Sequence, residues 1–67
     1  MAVSYNKLWI MLKEKNLKKG ELAKHAHISS YAMTSLNHNR PVPMGIMIRI
    51  CSLLDCDIGD IMSVTDK

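Results

Sequence analysis

Three histidines and two cysteines have side chains of a type that binds metal ions. They are His25, His27, His38, Cys51 and Cys56. Structural zinc sites bring such residues in closely spaced pairs, for example Cys-x-x-Cys followed by a second pair. The spacing here matches none of these patterns, and free cysteines in an apolar sequence behave as small hydrophobic side chains. We therefore expect reduced cysteines, no bound metal and no other cofactor.

The sequence also gives little support to catalysis. It contains no Ser–His–acid set and no pair of carboxylates spaced for acid–base chemistry. Gly20, Gly45 and Gly59 are isolated, so no glycine-rich phosphate loop is present. A chain of 67 residues could hardly enclose a substrate. We predict that the protein is not an enzyme, and no site for a small-molecule effector is evident.

A different chemistry is indicated by residues 19–39, KGELAKHAHISSYAMTSLNHN. Their pattern predicts a helix over residues 19–25 and a tight corner at residues 26–28. A second helix follows over residues 30–38, with the Ser29 hydroxyl as its N-cap. Two short helices joined by a tight corner are the pattern of a helix-turn-helix, which makes DNA the first partner to consider.

The second of these helices has an unusual outer face. Met33 and Leu36 are expected to point inward, and the side chains left outside can form hydrogen bonds and include no acid. Such a face suits base edges and phosphates, whereas an ordinary solvated face carries Glu and Lys pairs. The candidate base contacts are Ser30, Tyr31, Thr34 and Ser35.

The charge distribution favours the same partner. Residues 1–40 hold seven Lys or Arg against two Glu, a net charge of +5, whereas residues 41–67 hold two against four Asp, a net charge of −2. A basic N-terminal part is the expected footprint of a protein that binds phosphate backbones. The candidate phosphate contacts are Lys18, Lys19, Lys24, Ser29, Asn39 and Arg40.

The remaining elements are expected to support this motif. A first helix over residues 5–15 carries Tyr5, Leu8, Trp9 and Leu12 at helical spacing. Ser4 is its expected N-cap, and Asn16 suits the left-handed conformation that would end it.

After the loop that contains Pro41 and Pro43, the spacing predicts a helix over residues 44–54. Ile46 and Ile48 add a second apolar side, so this helix is expected to be buried. Asp57 and Asp60 then form a capping-box-like start for a short fifth helix over residues 58–62, and residues 64–67 are expected to be a frayed tail.

Composition limits the class of protein. Hydrophobic residues make up 48% of the sequence, which argues against disorder. No apolar run approaches the roughly 20 residues that span a bilayer, and the start lacks the shape of a signal peptide. We expect one domain over residues 1–67, with the motif at about residues 19–38, in a soluble protein of the cytoplasm that makes no membrane contact.

Three segments together resemble a known family. ELAKHAHIS, YAMTSLNHN and MIRICSLLDCDIGDIM are similar to the Cro/phage-repressor-type helix-turn-helix regulators, also called xenobiotic-response-element-like, and the similarity extends over about residues 4–63. The resemblance implies an all-α, compact five-helix, lambda-repressor-like domain that binds double-stranded DNA. One departure is His27, since the family usually has glycine at the corner, where φ is positive. Histidine is among the residues enriched at positive φ, so the corner can form.

The predicted function is sequence-specific binding of double-stranded DNA by a transcriptional regulator, with the helix over residues 30–38 in the major groove. Such a protein would be associated with the nucleoid when bound. The same fold could instead serve as a protein-interaction module, such as an antitoxin or an anti-repressor. A metal or redox protein is a third class, which the ligand spacing disfavours.

We also expect a homodimer on DNA, because two symmetry-related half-sites double the contacts of one recognition helix. The expected surface lies near Ile61, Met62 and Val64. These apolar side chains could equally complete the core of a single chain.

Overall fold

The chain folds into four α-helices flanked by two short strands, and the computed structural model describes residues 2–65 of it. In chain order the elements are β1 (Ala2–Ser4), α1 (Asn6–Glu14), α2 (Lys19–Ala26), α3 (Ser30–Asn37), α4 (Met44–Leu54), a 3-10 turn (Ile58–Asp60) and β2 (Ser63–Thr65). The helical periodicity of the sequence therefore located all four α-helices, with ends that differ by at most one residue.

The predicted fifth helix is wrong. Residues 58–60 form a single 3-10 turn, in which the Ile61 amide donates to the Ile58 carbonyl at 3.0 Å. The expected capping arrangement is confirmed, since the Asp57 amide donates to Oδ2 of Asp60 at 3.0 Å. Ile61 and Met62 follow the turn, and the chain enters a strand at Ser63. The described part of the fold is therefore mostly helical with a small sheet.

That strand also corrects the prediction of a frayed tail. Val64 and Thr65 lie in β2, which pairs antiparallel with β1 so that Val64 lies opposite Val3. Asp66 and Lys67, the rest of the predicted tail, lie outside the described residues. Ser4, the predicted N-cap, lies in β1, although its Oγ still accepts from the Asn6 amide at 3.3 Å.

The core consists of one inward stripe from each helix and the residues between them. The buried apolar residues are Tyr5, Leu8, Leu12, Leu22, Ala26, Ile28, Ala32, Leu36, Met47, Ile50, Leu54 and Ile61. Full burial of an aliphatic side chain such as leucine contributes roughly 1.5–3 kcal/mol. Trp9 is half-buried at the edge of this core. Ile61 completes the core of the single chain, which decides between the two alternatives for that residue.

The prediction that α4 is buried on two sides is wrong. Met47, Ile50 and Leu54 are buried, but Ile48 is 58% exposed. The rest of the core packs along one stripe of this helix, so an apolar residue outside the stripe stays in solvent.

Tyr5 joins the start of α1 to the loop after α3. Its hydroxyl donates to the Arg40 carbonyl at 2.8 Å, and its amide donates to Oδ1 of Asn39 at 3.1 Å. Burial raises the pKa of the Tyr5 hydroxyl above its ordinary value, while a hydrogen bond with the Val42 backbone partly offsets the rise. These contacts link residues that are 34 and 35 positions apart in sequence.

Replacement of Tyr5 by phenylalanine tests this link. Tyr5→Phe removes the hydroxyl and leaves the Arg40 carbonyl without that donor, so we expect the free energy of unfolding to fall by about 1 kcal/mol at pH 7. Because the folded-state pKa of Tyr5 is raised, the hydroxyl stabilises the fold below its unfolded pKa and this contribution is lost as pH rises through the folded value. In urea unfolding, the difference between the two proteins should therefore shrink above pH 10. A difference that grows with pH would contradict the assignment.

Candidate nucleic-acid interface

The corner between α2 and α3 is held in a left-handed conformation. His27 follows the last residue of α2 and has φ 54° and ψ 51°, as the sequence predicted. The Ile28 amide donates to the Ala23 carbonyl at 2.9 Å, and the Ile28 side chain is buried beneath the corner. The direction in which α3 leaves α2 is therefore set by this residue and the apolar anchor after it.

Arg49 of α4 stabilises the corner by donating hydrogen bonds to its backbone carbonyls. Its Nε donates to the Ala26 carbonyl at 3.0 Å, and its Nη2 donates to the His27 carbonyl at 3.2 Å. A cation that binds the free carbonyls at a helix C-terminus also interacts favourably with the helix dipole. No local signal in the sequence marks this role of Arg49, because it lies 22 residues beyond His27.

The start of α3 matches the sequence prediction. Ser29 is extended, with φ −68° and ψ 160°, and its Oγ accepts from the Ala32 amide at 3.2 Å. The N-cap fixes the first turn, from which Ser30 and Tyr31 project. At the N-terminus of α2, the Glu21 carboxylate similarly accepts from the Lys18 amide at 3.0 Å.

Three of the four predicted base contacts share the outer surface of α3. Ser30 and Thr34 are exposed, and Tyr31 is 79% exposed. The Thr34 hydroxyl donates to the Ser30 carbonyl at 2.9 Å, so its oxygen remains free to accept. Tyr31 projects into solvent, since most of its surface is left uncovered.

The fourth, Ser35, is a correction. Its side chain is only 5% exposed, so it cannot contact a base edge. The buried residues of α3 are Ala32, Ser35 and Leu36, and Met33, which the apolar pattern also indicated, packs half-buried against the core. Small side chains at the stripe allow the helix backbone to approach the core, and a count of large apolar residues overlooks them.

The predicted phosphate contacts are all exposed. They are Lys18, Lys19, Lys24, Ser29, Asn39 and Arg40. The side chains of three of them have partners within the chain, Ser29 through its N-cap bond. Oδ1 of Asn39 accepts from the Tyr5 amide, and Nζ of Lys19 donates to Oδ1 of Asn37 at 2.7 Å. The amide group of Asn39 and the remaining N–H bonds of Lys19 are still able to donate.

The residues with metal-ligand side chains do not assemble. Within residues 2–65, no group of three or more His, Cys, Asp or Glu side chains could hold a metal ion. Cys51 and Cys56 are free thiols. Burial raises the pKa of the Cys56 thiol to about 11, and the neighbouring Cys51 adds to the rise. At neutral pH this thiol stays protonated, which makes it a poor ligand and a poor nucleophile.

In the part of the chain that the structure describes, no helix combines the length and the apolar character needed to cross a bilayer.

Comparison with known proteins agrees with this geometry. The sequence model of the Cro/C1-type HTH DNA-binding domain matches residues 7–67. The chain belongs to the Cro/C1-type helix-turn-helix family. The crystal structure of the transcriptional regulator VanUg, Form II, is 38% identical and superposes with a TM-score of 0.96, over 98% of this chain and 88% of that one. No curated protein matches the chain.

Membership of the Cro/C1-type family confirms the resemblance found in the sequence. The protein is a DNA-binding regulator of the transcription-factor class, with double-stranded DNA as its partner. In this Cro/C1-type domain α2 and α3 are the two helices of the motif, and His27 occupies the corner between them.

Two substitutions at the corner test the left-handed conformation. His27→Gly should be neutral or should stabilise the fold by up to about 1 kcal/mol, because glycine adopts positive φ without a side-chain clash. His27→Val should destabilise by about 1–2 kcal/mol, since a β-branched side chain tolerates this region poorly. Urea unfolding of each variant measures these changes.

The matched control is His25→Val, at an exposed position within α2. Histidine and valine have nearly equal helix propensities, so the free energy of unfolding should change there by no more than a few tenths of a kcal/mol. Equal free energies of unfolding for the glycine and valine variants at position 27 would contradict the role of the corner.

Proposed function

We propose that the protein recognises a specific sequence of double-stranded DNA, with α3 in the major groove. The observation that carries this proposal is the outer face of α3, which is exposed, polar, free of acids and headed by Tyr31. The major groove presents a distinct pattern of donors, acceptors and methyl groups for each base pair. Hydroxyl groups can both donate to and accept from that pattern, and the Tyr31 ring can also contact a thymine methyl group.

The proposed base contacts are Ser30, Tyr31 and Thr34, without Ser35. All three lie in the first five residues of α3, the part of a recognition helix that enters the groove. Thr34 lies one turn after Ser30, and its hydroxyl is held in place by a hydrogen bond to the Ser30 backbone carbonyl. A short helix that is capped and anchored at its corner holds these groups with little freedom to lose on binding.

The proposed phosphate contacts lie on α2 and beside the two ends of α3. Lys18 and Lys19 lie at the N-terminus of α2, Lys24 lies on the same helix, and Arg40 follows α3. Ser29 and Asn39 would add polar contacts near the two ends of α3. Each phosphate neutralised releases counterions, so binding should weaken steeply as salt rises. These contacts set the position of the protein and carry no sequence information themselves.

The proposal includes a homodimer on DNA, in the cytoplasm with the nucleoid. One recognition helix reads only a few base pairs, and a two-fold dimer matches a symmetric site with half-sites roughly 34 Å apart. Ile61 is buried and does not belong to the dimer surface. Val64 on β2 is 59% exposed, with Met62 half-buried beside it in the chain, so β2 is the proposed contact between copies.

Removal of the Tyr31 ring tests the readout. Duplexes selected from a random-sequence pool by the unaltered protein define the preferred site. Tyr31→Ala should weaken binding to that site by about 1–3 kcal/mol and flatten the preference over scrambled duplexes. Because the ring is 79% exposed, thermal stability should change by no more than about 0.5 kcal/mol.

The control for this variant is Ile48→Ala, which removes a large exposed side chain from α4 and should leave the preference intact. An unchanged preference in Tyr31→Ala would contradict the placement of α3 in the groove. If the unaltered protein binds no duplex at low salt, the alternative of a protein-interaction module is favoured instead.

The assembly has a separate test. On the selected site we expect a symmetric footprint occupied by two chains, and sedimentation should show one chain in dilute solution. Val64→Asp should shorten the footprint without unfolding the protein, whereas Ile48→Asp, with nearly equal exposure, should not. A half-length footprint occupied by one unaltered chain would exclude the dimer.

A further inference from the structure

Three helices meet at the side chain of Lys19, the first residue of α2. Its Nζ lies 4.2 Å from the centre of the Trp9 ring on α1. The same nitrogen donates to Oδ1 of Asn37, the last residue of α3, at 2.7 Å. Trp9 is half-buried, so one part of the ring packs against the core while another supports the ammonium group. The sequence pattern places Trp9 on the apolar stripe of α1 and indicates no role for Asn37.

These contacts leave the ammonium group of Lys19 with N–H donors that are not yet used. A lysine carries three N–H donors and no acceptor. Asn37 takes one of them, and the electron-rich face of the indole attracts the positive charge without consuming a specific donor. Lys19 is exposed, so the remaining N–H bonds are available to an anion.

The surroundings favour an anion as well. The surface hollow beside this cluster is lined by Trp9, Leu12, Lys13, Leu17, Lys18 and Lys19. Three of these residues are lysines and none is acidic. The carboxylate of Glu21, two residues after Lys19, accepts from the Lys18 amide. A free lysine samples many rotamers and loses that freedom when it binds a phosphate. A lysine already held by a ring and an amide loses less.

We propose that Trp9 and Asn37 are positioning residues that hold Lys19 ready to bind a backbone phosphate of DNA. The proposal rests on the proposed function, since it concerns how one of the phosphate contacts is prepared. Trp9 and Asn37 act through Lys19 and need not touch DNA themselves. The same cluster connects the phosphate contact on α2 to the C-terminal end of α3. The first five residues of that helix bear the proposed base contacts.

The first test uses the free protein and does not depend on DNA. Trp9 is the single tryptophan of the sequence, so intrinsic fluorescence reports on this ring alone among the indoles. Lys19→Met keeps the length of the side chain and removes its charge, so the emission of Trp9 should change. Lys15→Met, at an exposed lysine beyond α1, should leave the emission unchanged. An unchanged spectrum in Lys19→Met would overturn the contact itself.

The second test is a double-mutant cycle on DNA binding. Trp9→Leu should weaken binding to selected and scrambled duplexes alike by about twofold to fivefold, the range expected for an exposed cation–π contact. Trp9→Phe, which keeps an aromatic face, should recover part of the loss. Lys19→Met should reduce the slope of log affinity against log salt by about 1. In the Lys19→Met background, Trp9→Leu should have no further effect.

The outcomes separate the positioning role from a structural one. If Trp9→Leu weakens binding equally in both backgrounds, the ring acts on the fold rather than on Lys19, and the proposal is overturned. If Trp9→Leu lowers the melting temperature enough to unfold the protein, Asn37→Ala takes its place in the same cycle, with the same expected loss of coupling.

The cycle also distinguishes this proposal from the proposed function. The protein could bind DNA with normal preference and yet show no coupling of positions 9 or 37 to position 19. In that case the proposed function stands and the positioning role is contradicted. A protein that shows the fluorescence change but binds no duplex loses both, because the cluster then has no phosphate to bind.

Discussion

The guanidinium group of Arg49 stabilises the corner between α2 and α3, and the rest of the interface depends on the conformation of that corner. It donates to the carbonyls of Ala26 and His27, and so ties the C-terminus of α2 to the central α4. The angle between α2 and α3 follows from the backbone at His27, and this angle decides which side chains of α3 face outward. An interface for DNA needs such a rigid base, since contacts to base edges tolerate little displacement.

A residue in the left-handed backbone conformation follows each of the four α-helices. Asn16, His27, Asn39 and Asp55 follow the four helices in turn, and each has φ between 54° and 56°. Glycine would adopt this conformation at lower cost, but Asn, Asp and His are the other residues enriched there. Asn39 offsets part of the cost, because its side chain accepts from the Tyr5 amide and closes the contact between α1 and the loop after α3. In a chain this small such local costs matter, since little core is available to offset them.

α3 must pack and present a surface within eight residues. The size of each side chain, and not its polarity alone, decides whether it faces the core or the solvent. The inward positions of Ala32 and Ser35 are small, which brings the helix close to the core, and the bulky Tyr31 is left outside. Polar character therefore does not distinguish the two sides of this helix, because Ser35 is buried while Ser30 is exposed. The fold leaves Tyr31, the bulkiest side chain of α3, exposed to solvent.

The sequence by itself determined the four α-helices, the left-handed corner at His27, the Ser29 cap and the family. These features depend on residues within one or two helical turns of each other, and a local pattern records them. Tertiary structure alone decided that β2 pairs with β1, that Ser35 is buried, and that Arg49 and Trp9 brace residues on other helices. Each of these contacts joins positions at least ten residues apart or depends on the rotation of a helix against its neighbours. No periodicity encodes such a contact, because the partner is chosen only when the whole chain packs.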